Sequence, residues 1–229
     1  MKEPALFFIL AESALEPIPT ELRNHPKFRR YAKNQNKSPE AIIFDKSIHS
    51  FLIKNPEVYE KRGRPDLVHI SLLSILGTPL CKAGRLKIFL HTVNNRVIQV
   101  DPSVRLPRNY IRFIGLISQL FEMGQVPPKG PGLLSLKKMT MQELIDEITP
   151  KYTILFSETG KEVELMNFMS RIVDHGPLAV IVGGFPHGKF SKETSHCANE
   201  IVAISNVSFD AHIVVSRVIY AYEIALKTK

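Results

Sequence analysis

Three arginines, Arg105, Arg108 and Arg112, fall at intervals of three and four in VRLPRNYIR (104–112), which sets them along one side of a helix and its lead-in. No Asp or Glu stands between Val104 and Glu122. A helix start already carries partial positive charge, so arginines there without an acid oppose the usual preference, and an outside anion would resolve the conflict. Free backbone N–H groups at such a start hold phosphate, and a guanidinium adds a planar pair of donors. The chemistry is recognition of a nucleic-acid backbone; a solvated basic face is the other reading.

A second cluster, KRGRPDL (61–67), places Arg62 and Arg64 just before Pro65 and Asp66. Asp66 can cap the helix that follows, or hold Arg64 in a fixed geometry for a phosphate or a base, and the two roles are compatible.

Three segments near the C-terminus, LFSETGK (155–161), VGGFPHGKF (182–190) and AISNVSF (203–209), read as strand ends running into small, polar turns. Ligands of α/β folds bind beyond the carboxyl ends of strands, and small side chains let backbone groups approach an adenine or ribose directly. Gly183, Gly188 and Lys189 satisfy most of a phosphate-loop pattern, but Phe190 stands where a hydroxyl must reach magnesium, so nucleotide hydrolysis is not expected. No metal site is expected either: His187 and His196 lack helical ligand spacing, and Cys197 has no second thiolate beside it.

The elements that must position these groups follow from hydrophobic periodicity and turn residues. Residues 5–10 suit a buried first strand rather than a signal peptide. Residues 16–39 break the pattern with four prolines and read as an inserted loop, a basic arm bearing Arg23, Lys27, Arg29, Arg30, Lys33 and Lys37 against only Glu21 beyond its first residue, Glu16. Leu67, Ile70, Leu73 and Ile75 to Leu76 recur near helical spacing in 66–76, and Pro107 suits the first position of a helix over 107–123. Between them, 86–93 and 96–100 form a hairpin turned at Asn94-Asn95. A loop at 126–132 precedes helix 141–148, strand 152–156, helix 163–173, strands 178–182 and 200–204, and a closing helix 208–226. Alternation of this kind predicts an α/β layered domain with parallel strands.

The chain has 229 residues, 44% of them hydrophobic, enough for a substantial core, and a formal charge of +8 that favours an acidic partner such as nucleic acid. No apolar run approaches the roughly 20 residues of a membrane span. Cys81 and Cys197 are far apart in sequence, in keeping with a reducing compartment. The cytoplasm is expected, or the nucleolus in a nucleated organism.

Taken together, RGRPDLVHISLL (62–73), CKAGRLKIFLHT (81–92), QVDPSVRLPRNYIRFIGLISQL (99–120), VGGFPHGKF and ISNVSFDAHIVVSR (204–217) resemble the ribosome-biogenesis pseudouridine N1-methyltransferases, members of the SPOUT class. The resemblance implies a SPOUT-type α/β knot forming one domain over 1–229, with a C-terminal trefoil knot at about 152–229; the basic insertion at about 16–39 is read from the residues and not from the resemblance. It implies a homodimer that uses S-adenosylmethionine to methylate N1 of a pseudouridine in small-subunit ribosomal RNA; that no membrane and no metal are expected comes from the residues above. The matching cofactor positions are Leu155, Gly183, Gly188, Lys189, Phe190, Ile204, Ser205, Asn206, Val207, Ser208 and Phe209. Arg62, Arg64, Arg105, Arg108 and Arg112 match RNA-contacting arginines, and Asp66 the acid that steadies one of them. The chemical step needs a base for the N1 proton, which the sequence does not single out. The rival expectation is a non-catalytic RNA-binding assembly factor of the small subunit.

Overall fold

Every side chain from Leu6 to Ser13 is buried, so this first strand, β1, must lie inside a sheet covered on both faces. The structure, a computed structural model, describes residues 6–227. Ala5, where the first strand is expected to begin, and residues 1–4 and 228–229 of the expected domain lie outside the described residues.

After β1 come α1 (Pro26–Gln35), a single turn α2 (Lys46–His49), α3 (Pro65–Leu76) and a second single turn α4 (Pro79–Lys82). The hairpin follows as β2 (Leu86–Thr92) and β3 (Arg96–Val100), with Asn95 at a positive φ of 51°. Next are α5 (Tyr110–Met123), β4 (Gln125–Val126), β5 (Leu134–Lys138) and α6 (Met141–Ile148). The last third is β6 (Tyr152–Glu162), α7 (Leu165–Ile172), β7 (Leu178–Gly183), α8 (Lys192–His196), β8 (Glu200–Ala203) and α9 (Ala211–Lys227).

The strands form one mixed sheet in the order β4-β5-β3-β2-β1-β7-β6-β8. β2, β1, β7, β6 and β8 run parallel, while β3, β5 and β4 add an antiparallel margin. Parallel direction brings the carboxyl ends of β1, β6, β7 and β8 to one edge, which is what gathers the three late turns. On one face, Leu6, Phe8 and Leu10 pack with residues of α3, α5, α7 and α9; on the other, Phe7, Ile9 and Ala11 pack with Met141 and Leu144 of α6. Phe8 is fully buried at the centre, where truncation to alanine costs about 3–5 kcal/mol.

Three expectations change. Residues 16–39 are not simply a loop: α1 crosses them, and Ile18, Phe28, Ala32, Ile42, Phe44, Leu52 and Tyr59 close a separate small core. Pro107 does not start a helix; Asn109 does, its side chain accepting the Arg112 N–H at 3.1 Å, so Arg105 and Arg108 stand before α5 and only Arg112 lies in its first turn. In α3 the buried face is Val68, Leu72 and Ile75, while Ile70 on the expected face is 46% exposed. Of the expected apolar set, Ile75 is buried and Leu73 and Leu76 pack against the same core, so only Ile70 turns outward. Two short strands, β4 and β5, and the short helices α2, α4 and α8 are absent from the expected element order.

Candidate functional site

The strand ends enclose a cleft of about 230 Å³ lined by residues drawn from three segments, 156–159, 182–190 and 204–214. Its first wall exists because β6 is interrupted: pairing with β8 runs to Phe156 opposite Val202 and resumes only at Lys161 opposite the same residue, so the residues between them loop out. Gly160 makes this possible. A Cβ there would sit 2.6 Å from the Val202 backbone, closer than any side chain could lie. The third wall is a longer loop than expected, because α9 begins at Ala211 rather than 208; within it Ser205 Oγ accepts the Val207 N–H at 3.2 Å.

Of the residues expected to touch a cofactor, Gly183, Gly188, Lys189, Phe190, Ile204, Ser205, Val207, Ser208 and Phe209 all line this cleft. Asn206 does not line it, although its side chain accepts from Ser205 Oγ at 3.4 Å. Leu155 also stays outside; it packs with Ala179, Ile181 and Ile201 on the other face, and strand alternation gives the cleft to Phe156 instead. Phe156, Ser157, Thr159, Phe185 and Val214 were missed by sequence reasoning, though Ser157 and Thr159 sit in the polar turn that it did single out. Phenyl and branched aliphatic walls beside hydroxyls and strand-end backbone groups match an amphipathic ligand with a flat ring and a polar tail. The chemistry of these residues therefore fits S-adenosylmethionine.

Behind the 183–190 loop lies a buried charge pair. Glu12, in the left-handed region at φ 49°, donates its backbone N–H toward His91 Nδ1 at 3.4 Å. Its carboxylate accepts from Lys61 Nζ at 2.6 Å and from the Ser191 N–H at 2.8 Å. Burial works to raise the Glu12 carboxyl, and the bonds from Lys61 and Ser191 overcome it, so the group ends below its ordinary range. Lys61 Nζ also stands 4.8 Å from the centre of the Phe185 ring, which lines the cleft.

The arginine face is built around α3 and α5. Gly63, at φ +69°, brings the chain past Phe44 and Lys46 at a point where a Cβ would lie 2.9 and 2.8 Å from their side chains. Arg64 then occupies the position before α3 and forks onto Asp66, Nε to Oδ1 and Nη2 to Oδ2 both at 2.9 Å. Asp66 is thus not the cap of α3 but the holder of Arg64. The bond from Arg64 lowers the Asp66 carboxyl, while Asp66 foremost, with Asp210 and Asp45 adding, raises the Arg64 guanidinium. Asp210 directly follows the 204–209 loop, so Arg64 stands within electrostatic reach of the cleft's third wall. Arg105, Arg108 and Arg112 are exposed. Their support is buried: Tyr110 donates its hydroxyl to Asp45, and His69 Nε2 meets the Pro107 carbonyl at 2.7 Å while its ring stacks 4.1 Å from that of Phe113. Burial first, then Asp45, pushes the Tyr110 phenol far up, so it stays protonated and donating.

Arg62 differs from the other four. Its Nε and Nη2 each bond a Glu16 oxygen at 2.6 Å, and its guanidinium lies 5.3 Å from the Tyr59 ring, so it braces the chain between β1 and α3.

Among the described residues no group of three or more His, Cys, Asp or Glu could hold a metal ion, and no helix is long and apolar enough to cross a membrane. The near-match to a phosphate loop leads into α8, a helix of only five residues beginning two positions after Phe190.

A sequence profile described as EMG1/NEP1 methyltransferase matches residues 8–223. The chain is 42% identical to the ribosomal RNA small subunit methyltransferase Nep1 of Staphylothermus marinus, over 97% of this chain and 96% of that one. It is also 42% identical to the protein of the same name from Pyrococcus furiosus, over 95% and 96%. Among solved structures, Archaeoglobus fulgidus Nep1 bound to S-adenosylhomocysteine superimposes with a TM-score of 0.83 at 35% identity, covering 98% of this chain and 99% of that one.

Proposed function

The chain belongs to the EMG1/NEP1 methyltransferase family, and from that premise we propose that it methylates N1 of a pseudouridine in small-subunit ribosomal RNA with S-adenosylmethionine as donor. The observation that carries this reading is the adjacency of two sites: a cleft walled by 156–159, 182–190 and 204–214, and an arginine face whose fixed member, Arg64, feels the charge of Asp210 at the cleft's rim. A purely RNA-binding assembly factor would need the arginines but not the cleft.

S-adenosylmethionine, when bound, supplies a methyl group already activated on sulfonium, so alignment with the attacking nitrogen is the protein's main task. Phe156, Val182, Phe209 and Val214 would exclude water from the ligand's apolar parts, and Ser157, Thr159, Ser205 and Ser208 would orient its polar ones. Arg64, held flat by Asp66, presents its guanidinium in one orientation, while Arg105, Arg108 and Arg112 receive phosphates with the RNA loop turned out toward the cleft.

The proposal includes one domain with a trefoil knot in its last third. It also includes a homodimer. Ile70 of α3 and Ile213 and Tyr220 of α9 are 46%, 36% and 60% exposed on two helices that pack together, an apolar surface suited to a second copy. A reducing cytoplasmic setting suits the two free thiols, with Cys81 pushed up to about 11 by burial. Titration of the protein with S-adenosylhomocysteine and with a small-subunit rRNA hairpin, separately and together, tests the pairing of sites. Binding of both at once is expected, and mutual exclusion or no cofactor binding would refute it.

A further inference from the structure

Ten residues of α1, PKFRRYAKNQ, carry four cations and no acid. Phe28 and Ala32 are buried against the small core at Phe44, Leu52 and Tyr59, which turns Lys27, Arg29, Arg30 and Lys33 outward. Like charges three and four residues apart repel on a helix surface, so this face works against the helix that bears it. Among the described residues no acid relieves it. Arg29 bonds only Asn24, and Lys27, Arg30 and Lys33 make no ion pair among the described residues. The nearest acids are engaged elsewhere, Glu40 by Arg23 and Glu21 by Tyr59 and Arg62.

The helix is also fastened to the arginine face. Tyr31 meets the His49 ring edge-on at 5.2 Å, His49 Nδ1 accepts the Asp45 N–H at 3.1 Å, and Asp45 accepts the Tyr110 hydroxyl. Tyr110 opens α5, two residues before Arg112. Farther along α5, Ser118 accepts from Lys37 Nζ at 3.4 Å, just beyond the end of α1. Two basic surfaces are therefore held in fixed relation by a partly buried line of contacts.

We propose that the outward face of α1 is a second phosphate-contact surface, gripping the RNA backbone that flanks the target loop. The proposal rests on the RNA-methyltransferase reading and extends it to substrate length. RNA fits better than an acidic protein because α1 exposes no large apolar side chain, which a protein interface would need at its core, whereas phosphate contacts need only spaced cations.

The test compares two hairpins carrying the same loop, one with a minimal stem and one with an extended stem, across a salt series. Wild-type protein is expected to prefer the longer RNA about tenfold, with a log affinity against log salt slope steeper by about 2, at roughly 0.7–0.9 per phosphate contacted. The exposed triple variant Lys27→Gln, Arg30→Gln, Lys33→Gln should bind the two hairpins alike. An unchanged preference in the variant, with wild-type methyl transfer intact, would overturn this proposal alone. Failure of the wild type to bind either hairpin would overturn the methyltransferase reading as well. Preference for an acidic polypeptide over the long hairpin, lost in the triple variant, would reassign the face to a protein.

Discussion

Lys61 Nζ lies 2.6 Å from one oxygen of Glu12, and the other oxygen accepts the Ser191 N–H at 2.8 Å. One buried carboxylate thereby ties the chain leading into Arg64 to the loop that edges the cleft. Removing the lysine strands a charge that is only 8% exposed, whereas neutralising the glutamate keeps an acceptor for Ser191. Lys61→Met is therefore expected to lose on the order of 2–4 kcal/mol, allowing for partial exposure of the pair, and Glu12→Gln about half as much. Denaturant unfolding of both variants checks this, and the reverse order would contradict it.

A valine at Gly183 would place its Cβ 3.0 Å from Phe185 Cε1 and 3.2 Å from Phe190 Cζ. Both rings line the cleft, so they can yield only by moving into it or away from the loop. Gly183→Val is expected to weaken S-adenosylhomocysteine binding by more than about tenfold, roughly 1.4 kcal/mol, with the fold retained. Calorimetric titration beside a thermal melt separates the two effects; normal binding would remove Gly183 from the site.

Arg112 and Arg62 make opposite predictions from similar sequence contexts. Arg112→Ala, at an exposed position, should lower the salt slope of RNA binding by about 1 without changing stability. Arg62→Ala uncovers the buried Glu16 and should lower the melting temperature while leaving the salt slope nearly unchanged. An exchange of these outcomes would place Arg62 on the RNA.

Burial holds His91 below its ordinary value, and its ring bonds are made in the neutral form. A depressed histidine stabilises the fold fully above the unfolded value of about 6.5. That contribution is lost as pH falls from there through the lower folded value. Thermal stability should therefore decline as pH falls below about 6.5, and His91→Gln should lessen the decline, the remainder coming from His49, which burial depresses likewise. A flat wild-type profile over that range would argue against a neutral buried His91.

Much of the site was legible because its signals are local. A polar turn after an apolar run marks a strand end, so 182–190 and 203–209 pointed to the cleft without any knowledge of pairing. Leu155 misled for the reason Phe156 was missed: which of two adjacent strand residues faces a ligand depends on register across the sheet, and register is a long-range property. The arginine face was readable as charge but not as geometry. Nothing in RGRPD tells that Arg64 forks onto Asp66 while Arg62, two residues earlier, turns to Glu16, whose distance along the chain hides it. Residues 16–39 looked like a loop because prolines broke the pattern, yet Pro26 opens α1, where a missing N–H costs nothing.

Transfer of a labelled methyl group from S-adenosylmethionine to a small-subunit rRNA hairpin, with pseudouridine or uridine at one loop position, is the most direct test of the reaction. Label is expected on the pseudouridine hairpin alone. Equal label on both would contradict the N1 assignment, and no label on either, despite tight RNA binding, would contradict the enzyme itself.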